Sequence, residues 1–129
     1  MKYTKTKHFY TPATITFEMW TYLAYILDRY WESTGKTKIS ISELYNFHNK
    51  FLWMGEHLTF WEGLDDLKAD VSYLEKTNLI TVKDDIIYIV NLGGLSSVSR
   101  IVNDSGQVEK LYGIYKERID RAMDEWLKV

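Results

Sequence analysis

The side chains able to move protons or bind metal near neutrality are the three histidines, His8, His48 and His57. No two of them stand four residues apart, no HExxH motif occurs, and the chain has no cysteine. A zinc site needs several converging ligands, so none can be assembled from these positions. His48 follows Phe47 on an apolar helical face and reads as a histidine at the edge of the core. Asp65, Asp66 and Asp70 form a carboxylate cluster of the kind that holds a divalent ion, but carboxylates crowded on one helix usually form a solvated face. Gly35-Lys36-Thr37 spells the end of a phosphate-binding loop. Tyr30, however, occupies the position where that loop needs its first glycine, and the fragment follows a helix instead of a strand. Gly93-Gly94 is followed by no such fragment, and Ser96, Ser97 and Ser99 have neither a neighbouring base nor an elbow motif. No nucleophile, base and orienting group come together, so the expectation is a protein that is not an enzyme, with no metal and no cofactor.

What remains is charge and aromatic surface. The 129 residues carry 16 basic and 18 acidic side chains, a net charge of −2. Residues 1–50 hold seven Lys and Arg against four acids, residues 51–92 hold three against eight, and residues 93–129 hold six of each. An anion-binding surface is therefore expected toward the N-terminal part. There Lys2, Lys5 and Lys7 alternate with Tyr3, Phe9 and Tyr10, a mixture suited to phosphate contact and base stacking. A hydrophobic fraction of 46%, 16% of the chain being aromatic, is ample for a packed core in one domain. No stretch approaches the roughly 18 apolar residues of a membrane span, and the N-terminus lacks the apolar run of a signal peptide. With no cysteine to oxidise, these features fit a cytoplasmic protein without membrane association.

The elements follow from periodicity. Residues 1–13 read as a basic, extended arm. Thr16 is the expected N-cap of a first helix over about 16–33, with Trp20, Leu23, Ala24, Leu27, Tyr30 and Trp31 at helical spacing. Lys36–Ser42 is rich enough in β-branched residues for one brief strand. Ser40 and Glu43 form a capping box, with Ile39 and Leu44 at the hydrophobic-staple positions, so a second helix should run from Ile41 to about Phe51. Thr59 and Glu62 form another capping box before Phe60, Leu64, Leu67, Val71 and Leu74, which predicts a third helix over about 60–77. Asn78 is its expected left-handed cap. Two β-rich runs, 79–82 and 86–90, flank Lys83-Asp84-Asp85 and predict a hairpin closed by Gly93-Gly94. Residues 95–106 read as a Ser-rich linker with at most one short helix carrying Leu95, Val98 and Ile101. A long helix follows from Gln107, with Lys116/Asp120, Glu117/Arg121, Arg121/Glu125 and Asp124/Lys128 as supporting pairs four apart.

This order, helix, short strand, helix, turn, longer helix, hairpin, resembles the winged helix-turn-helix superfamily of DNA-binding domains over about residues 16–92. Its most characteristic piece is Tyr73-Leu74-Glu75-Lys76-Thr77-Asn78-Leu79-Ile80 followed by the hairpin. The expected fold class is mainly α with a small β-hairpin wing (α+β), a winged helix-turn-helix over 14–94, then a linker and long C-terminal helix over 95–129. The resemblance implies that the third helix enters the major groove and that the hairpin tip touches the backbone. Candidate DNA-binding residues are Lys2, Lys5, Lys7, Lys36, Lys38, Lys50, Lys68, Tyr73, Lys76 and Lys83. One feature opposes this: residues 59–77 hold five acids and two lysines, and a negative helix is repelled by phosphates. Either the lysines elsewhere hold duplex DNA while the acids point away, or the acidic face, with Asp65, Asp66 and Asp70 exposed, engages a basic protein partner. Val108, Tyr112, Tyr115, Ile119, Ala122 and Trp126 form an apolar stripe that must be buried, either within the chain or as the interface of a homodimeric transcriptional regulator.

Overall fold

A computed structural model describes residues 8–10, 16–52, 60–108 and 110–128, with side chains over 19–52, 60–104 and 113–128. In chain order the elements are β1 (His8–Tyr10), β2 (Thr16–Glu18), α1 (Met19–Thr34), β3 (Lys38–Ser40) and α2 (Ile41–Phe47), which continues into a π-helical turn (His48–Leu52). Then come α3 (Leu64–Lys76), β4 (Ile80–Lys83), β5 (Ile86–Ile89), α4 (Leu92–Val108) and α5 (Lys110–Trp126). The architecture is α+β, mainly helical, with a small antiparallel sheet in the order β3-β5-β4. No helix among the described residues is long and apolar enough to cross a membrane.

The core is organised on α1. Tyr22, Leu23, Ala24, Ile26 and Leu27 are all buried, because α3, α4 and α5 each pack against this helix. A helix apolar on nearly every side is stable only when surrounded. Each large side chain removed from water contributes about 1.5–3 kcal/mol toward that arrangement. The helix starts three residues later than its spacing suggests. Thr16 is no N-cap but the first residue of β2, paired with Tyr10 of β1, so part of the expected free arm is strand.

Local signals hold well in the middle of the chain. The Ser40 hydroxyl accepts from the Glu43 N–H at 3.0 Å, while Ile39 and Leu44 are buried beside it. At the end of α3, Asn78 takes φ 66°. The Leu79 N–H then reaches Leu74 O and the Asn78 N–H reaches Glu75 O, the two bonds of a Schellman cap. The hairpin turns on two residues, Asp84 and Asp85, at φ 54° and 61°. Left-handed values at both central positions are what a type I′ turn requires. The sheet is completed by Lys38 opposite Tyr88 and Ser40 opposite Ile86.

Several expectations fail at longer range. Helix three begins at Leu64, not Phe60, with Gly63 as its cap residue. Phe60 and Trp61 enter the core from the irregular segment before it. Leu64 therefore falls in the first turn and is 38% exposed instead of facing the interior. Gly93-Gly94 does not close the hairpin. The Asn91 side chain accepts from the Gly94 N–H at 2.9 Å, so the glycines open α4, and the expected linker over 95–106 is helical. Its inward positions are Leu95, Ser99 and Val102, whereas Ile101 is exposed.

The apolar stripe of the last helix is filled within the chain. Tyr115, Ile119 and Ala122 are buried, and Trp126 stacks on Tyr30 and lies 4.4 Å from Phe47, centroid to centroid. These side chains are thus not available for the homodimer interface expected of them. The side chains of Val108 and Tyr112 lie outside the described residues. Of the predicted surface pairs, Lys116–Asp120 and Glu117–Arg121 form, while Lys128 meets Glu125.

The two glycines should respond oppositely to the same change. A Cβ on Gly94 would stand 2.7 Å from a Leu79 methyl and from the Asn91 amide nitrogen. Gly94→Ala should therefore lower stability, by about 1 kcal/mol if the Asn91 cap is displaced. A Cβ on Gly93 meets only the Asn91 oxygen at 4.0 Å, and Gly93→Ala should stabilise by about 0.5–1 kcal/mol. Urea unfolding midpoints of the two variants check both signs.

Candidate functional site

The third helix carries its charge unevenly, and the reason lies in how its entry is fastened. The Trp61 backbone N–H donates to His48 Nε2 at 3.2 Å. That nitrogen holds the lone pair, and Nδ1–H donates to Asn49 Oδ1 at 2.9 Å. The indole N–H of Trp61 donates to Asp70 Oδ2 at 2.8 Å. Asp70 is 0% exposed, which corrects its expected place on the outer face. Its carboxylate is drawn inward because a buried indole N–H needs an acceptor. His48, at 1% exposure, lies wholly within the core, not at its edge.

Two more acids on this helix are tied down. Asp66 accepts from the Glu62 N–H at 3.1 Å, satisfying a donor ahead of the first turn. Glu75 accepts from the Val82 N–H at 3.0 Å and so clasps β4. The exposed side chains of α3 are Leu64, Asp65, Lys68, Ser72, Tyr73 and Lys76, two cations and one anion, with Asp66 and Glu75 half-buried beside them. Tyr73 is 40% exposed and held by Trp20, whose ring centroid is 5.0 Å away. The carboxylates Asp65, Asp66 and Asp70 thus point to different surroundings. Among the described residues no group of three potential metal ligands could hold an ion.

The remaining candidate lysines are dispersed. Lys36 and Lys38 are exposed where the chain turns from α1 into β3, and they line an open cavity of ≈ 580 Å³ with Tyr30 and Glu43. Lys50 is exposed beyond the end of α2, its Nζ 5.6 Å from the Phe51 ring centroid. Lys36 and Lys38 thus precede α2 and Lys50 follows it. Lys83 is exposed at the end of β4, beside the acidic turn. Lys2, Lys5 and Lys7 lie outside the described residues.

A second charged constellation escaped sequence reasoning. Asp120 on α5 accepts from the Tyr25 hydroxyl and pairs with Arg29, both on α1, and with Lys116 at 2.7 Å. Burial, then the Asp120 carboxylate, raises the Tyr25 phenol above its ordinary 10.0. The hydrogen bond to Asp120 raises Lys116 above 10.5. Lys116/Asp120 was legible as a helical pair. Its extension to Arg29, 91 positions away, has no local signature.

Both clusters make measurable commitments. Asp70→Ala removes the buried acceptor of the Trp61 indole N–H and should cost about 1–3 kcal/mol in urea unfolding, with Asp70→Asn costing less because an acceptor remains. Because Tyr25 and Lys116 are both raised, the folded state favours their protonated forms. Their contribution is fully present below the unfolded values of 10.0 and 10.5 and is lost as pH rises above them. Thermal midpoints measured against pH should fall in that alkaline window, and less steeply in Asp120→Asn.

No family model, curated protein or solved structure matches this chain.

Proposed function

We propose that residues 16–92 form a winged helix-turn-helix and that the protein binds double-stranded DNA, as a small regulator of transcription, with α3 as the helix that enters the major groove. The order of α1, β3, α2, α3 and the β4–β5 hairpin supports this reading, as does the β3-β5-β4 sheet. The observation that carries it is the outward strip of α3. The helix is acidic by composition, yet Asp70, Asp66 and Glu75 are engaged by Trp61, the Glu62 N–H and β4. What faces away from the core is Lys68, Ser72 and Lys76, with Asp65 at the first turn.

Lys68 and Lys76 then serve as phosphate or base-edge contacts, Ser72 as a short hydrogen-bonding group between them, and Tyr73 as a partly exposed ring at the border. Lys36, Lys38 and Lys83 supply backbone contacts, which set affinity more than sequence preference. The alternative partner, a basic protein, loses one of the carboxylates it would use, because Asp70 is buried. A homodimer would have to use a surface other than the α5 stripe.

Fluorescence anisotropy with duplex DNA of random sequence, repeated over a salt series, tests the reading. Affinity should fall as salt rises, and Lys68→Ala with Lys76→Ala should weaken binding and flatten the log–log slope by about 2, at roughly 0.9 per phosphate contact. Replacing Asp84-Asp85 by Asn-Gly preserves a type I′ turn and should strengthen binding by removing two anions from the hairpin tip. Absence of salt-dependent binding, or a double lysine variant that binds as the parent does, would overturn the proposal.

A further inference from the structure

The cleft between α1, α4 and α5 carries charges that its own ion pairs do not consume. Its volume is ≈ 380 Å³, near the lower end of small-molecule sites, which run to about 300–1,000 Å³. Asp120 is occupied by Tyr25, Arg29 and Lys116. On the wall, Asp28 is 5% exposed, and among the described residues it receives one hydrogen bond, from the Ser96 hydroxyl at 3.2 Å. A carboxylate offers about four acceptor sites and is costly to bury with so little compensation. Ser99 is 4% exposed and lines the same cleft. Arg100 and Glu32, also lining it, are exposed and have no ion pair among the described residues.

These groups define a ligand by complement. Asp28, lying deep, calls for a compact cation able to donate several hydrogen bonds, which is an ammonium. Arg100 calls for a carboxylate, which the guanidinium fork grips with two parallel bonds. Ser96, which touches Asp28, and Arg100 stand one helical turn apart on α4, about 6 Å of rise. An ammonium and a carboxylate borne on one carbon, each with its hydrogen bond, can engage two such groups lining one cleft. Ser99 and Asn103 line the cleft as further hydrogen-bonding groups. The polar wall disfavours an aliphatic ligand. We propose that this cleft binds a free α-amino acid, its ammonium on Asp28 and its carboxylate on Arg100.

The proposal does not rest on the DNA reading, because its test is direct binding. An equimolar mixture of the protein amino acids, added to the isotopically labelled full chain, should produce saturable NMR shifts at the amides of residues 96–103 and at Asp28. The same mixture N-acetylated, which lacks the ammonium, should not. Asp28→Asn should weaken the binding by more than about tenfold, and Arg100→Gln by a similar factor. Arg100 is exposed, so that second variant keeps the test intact should Asp28→Asn fold poorly. No saturable shift with the free amino acids, equal shifts with the acetylated ones, or unaltered affinity in Arg100→Gln would each overturn the proposal.

Discussion

The rest of the molecule depends on burying α1 from every side. Its sequence is too apolar to lie on a surface, so α3 covers one side and the α4–α5 pair another. Both halves of the chain are thereby committed to a single helix. The C-terminal third, which reads as an appendage when the sequence is taken piece by piece, is a structural wall. This is why the stripe on α5 is spent within the chain. Tyr115 approaches Tyr22 and Phe60, and Trp126 lies against Tyr30 and Phe47.

A second constraint sets the electrostatics of α3. Trp61 sits at 1% exposure with two N–H groups to satisfy, and it meets them with His48 and Asp70. The fastening that places the helix also withdraws one of its carboxylates from the surface. Packing and surface charge are thus coupled: the helix-three acids work on the protein's own backbone and core. Net charge per segment misrepresents the face a partner would meet.

Much of the fold was legible because its signals are local. The Ser40/Glu43 cap, the Asn78 terminus and the hairpin at Asp84-Asp85 each depend on residues within a few positions of one another. The failures share a different cause. Leu64 fits a helical stripe perfectly well by spacing, but the helix starts only after Trp61 has been drawn into the core. Gly93-Gly94 reads as a break, since glycine disfavours helix by about 1 kcal/mol. It is tolerated because Asn91 caps the turn and Leu79 packs where a Cβ would otherwise stand. Ser99 and Arg100 carried no motif at all, and their interest arises only from lying across a cleft from Asp28.

By itself the sequence determined the helical periods, the caps, the turn and hence the order of elements, because each is a contest between a residue and its near neighbours. Only the tertiary structure decided which side of α3 is charged, that α5 folds back onto α1, and that Asp28, Ser99 and Arg100 line one cleft. Those outcomes turn on pairing buried donors with acceptors across scores of residues. Spacing along the chain does not encode that pairing.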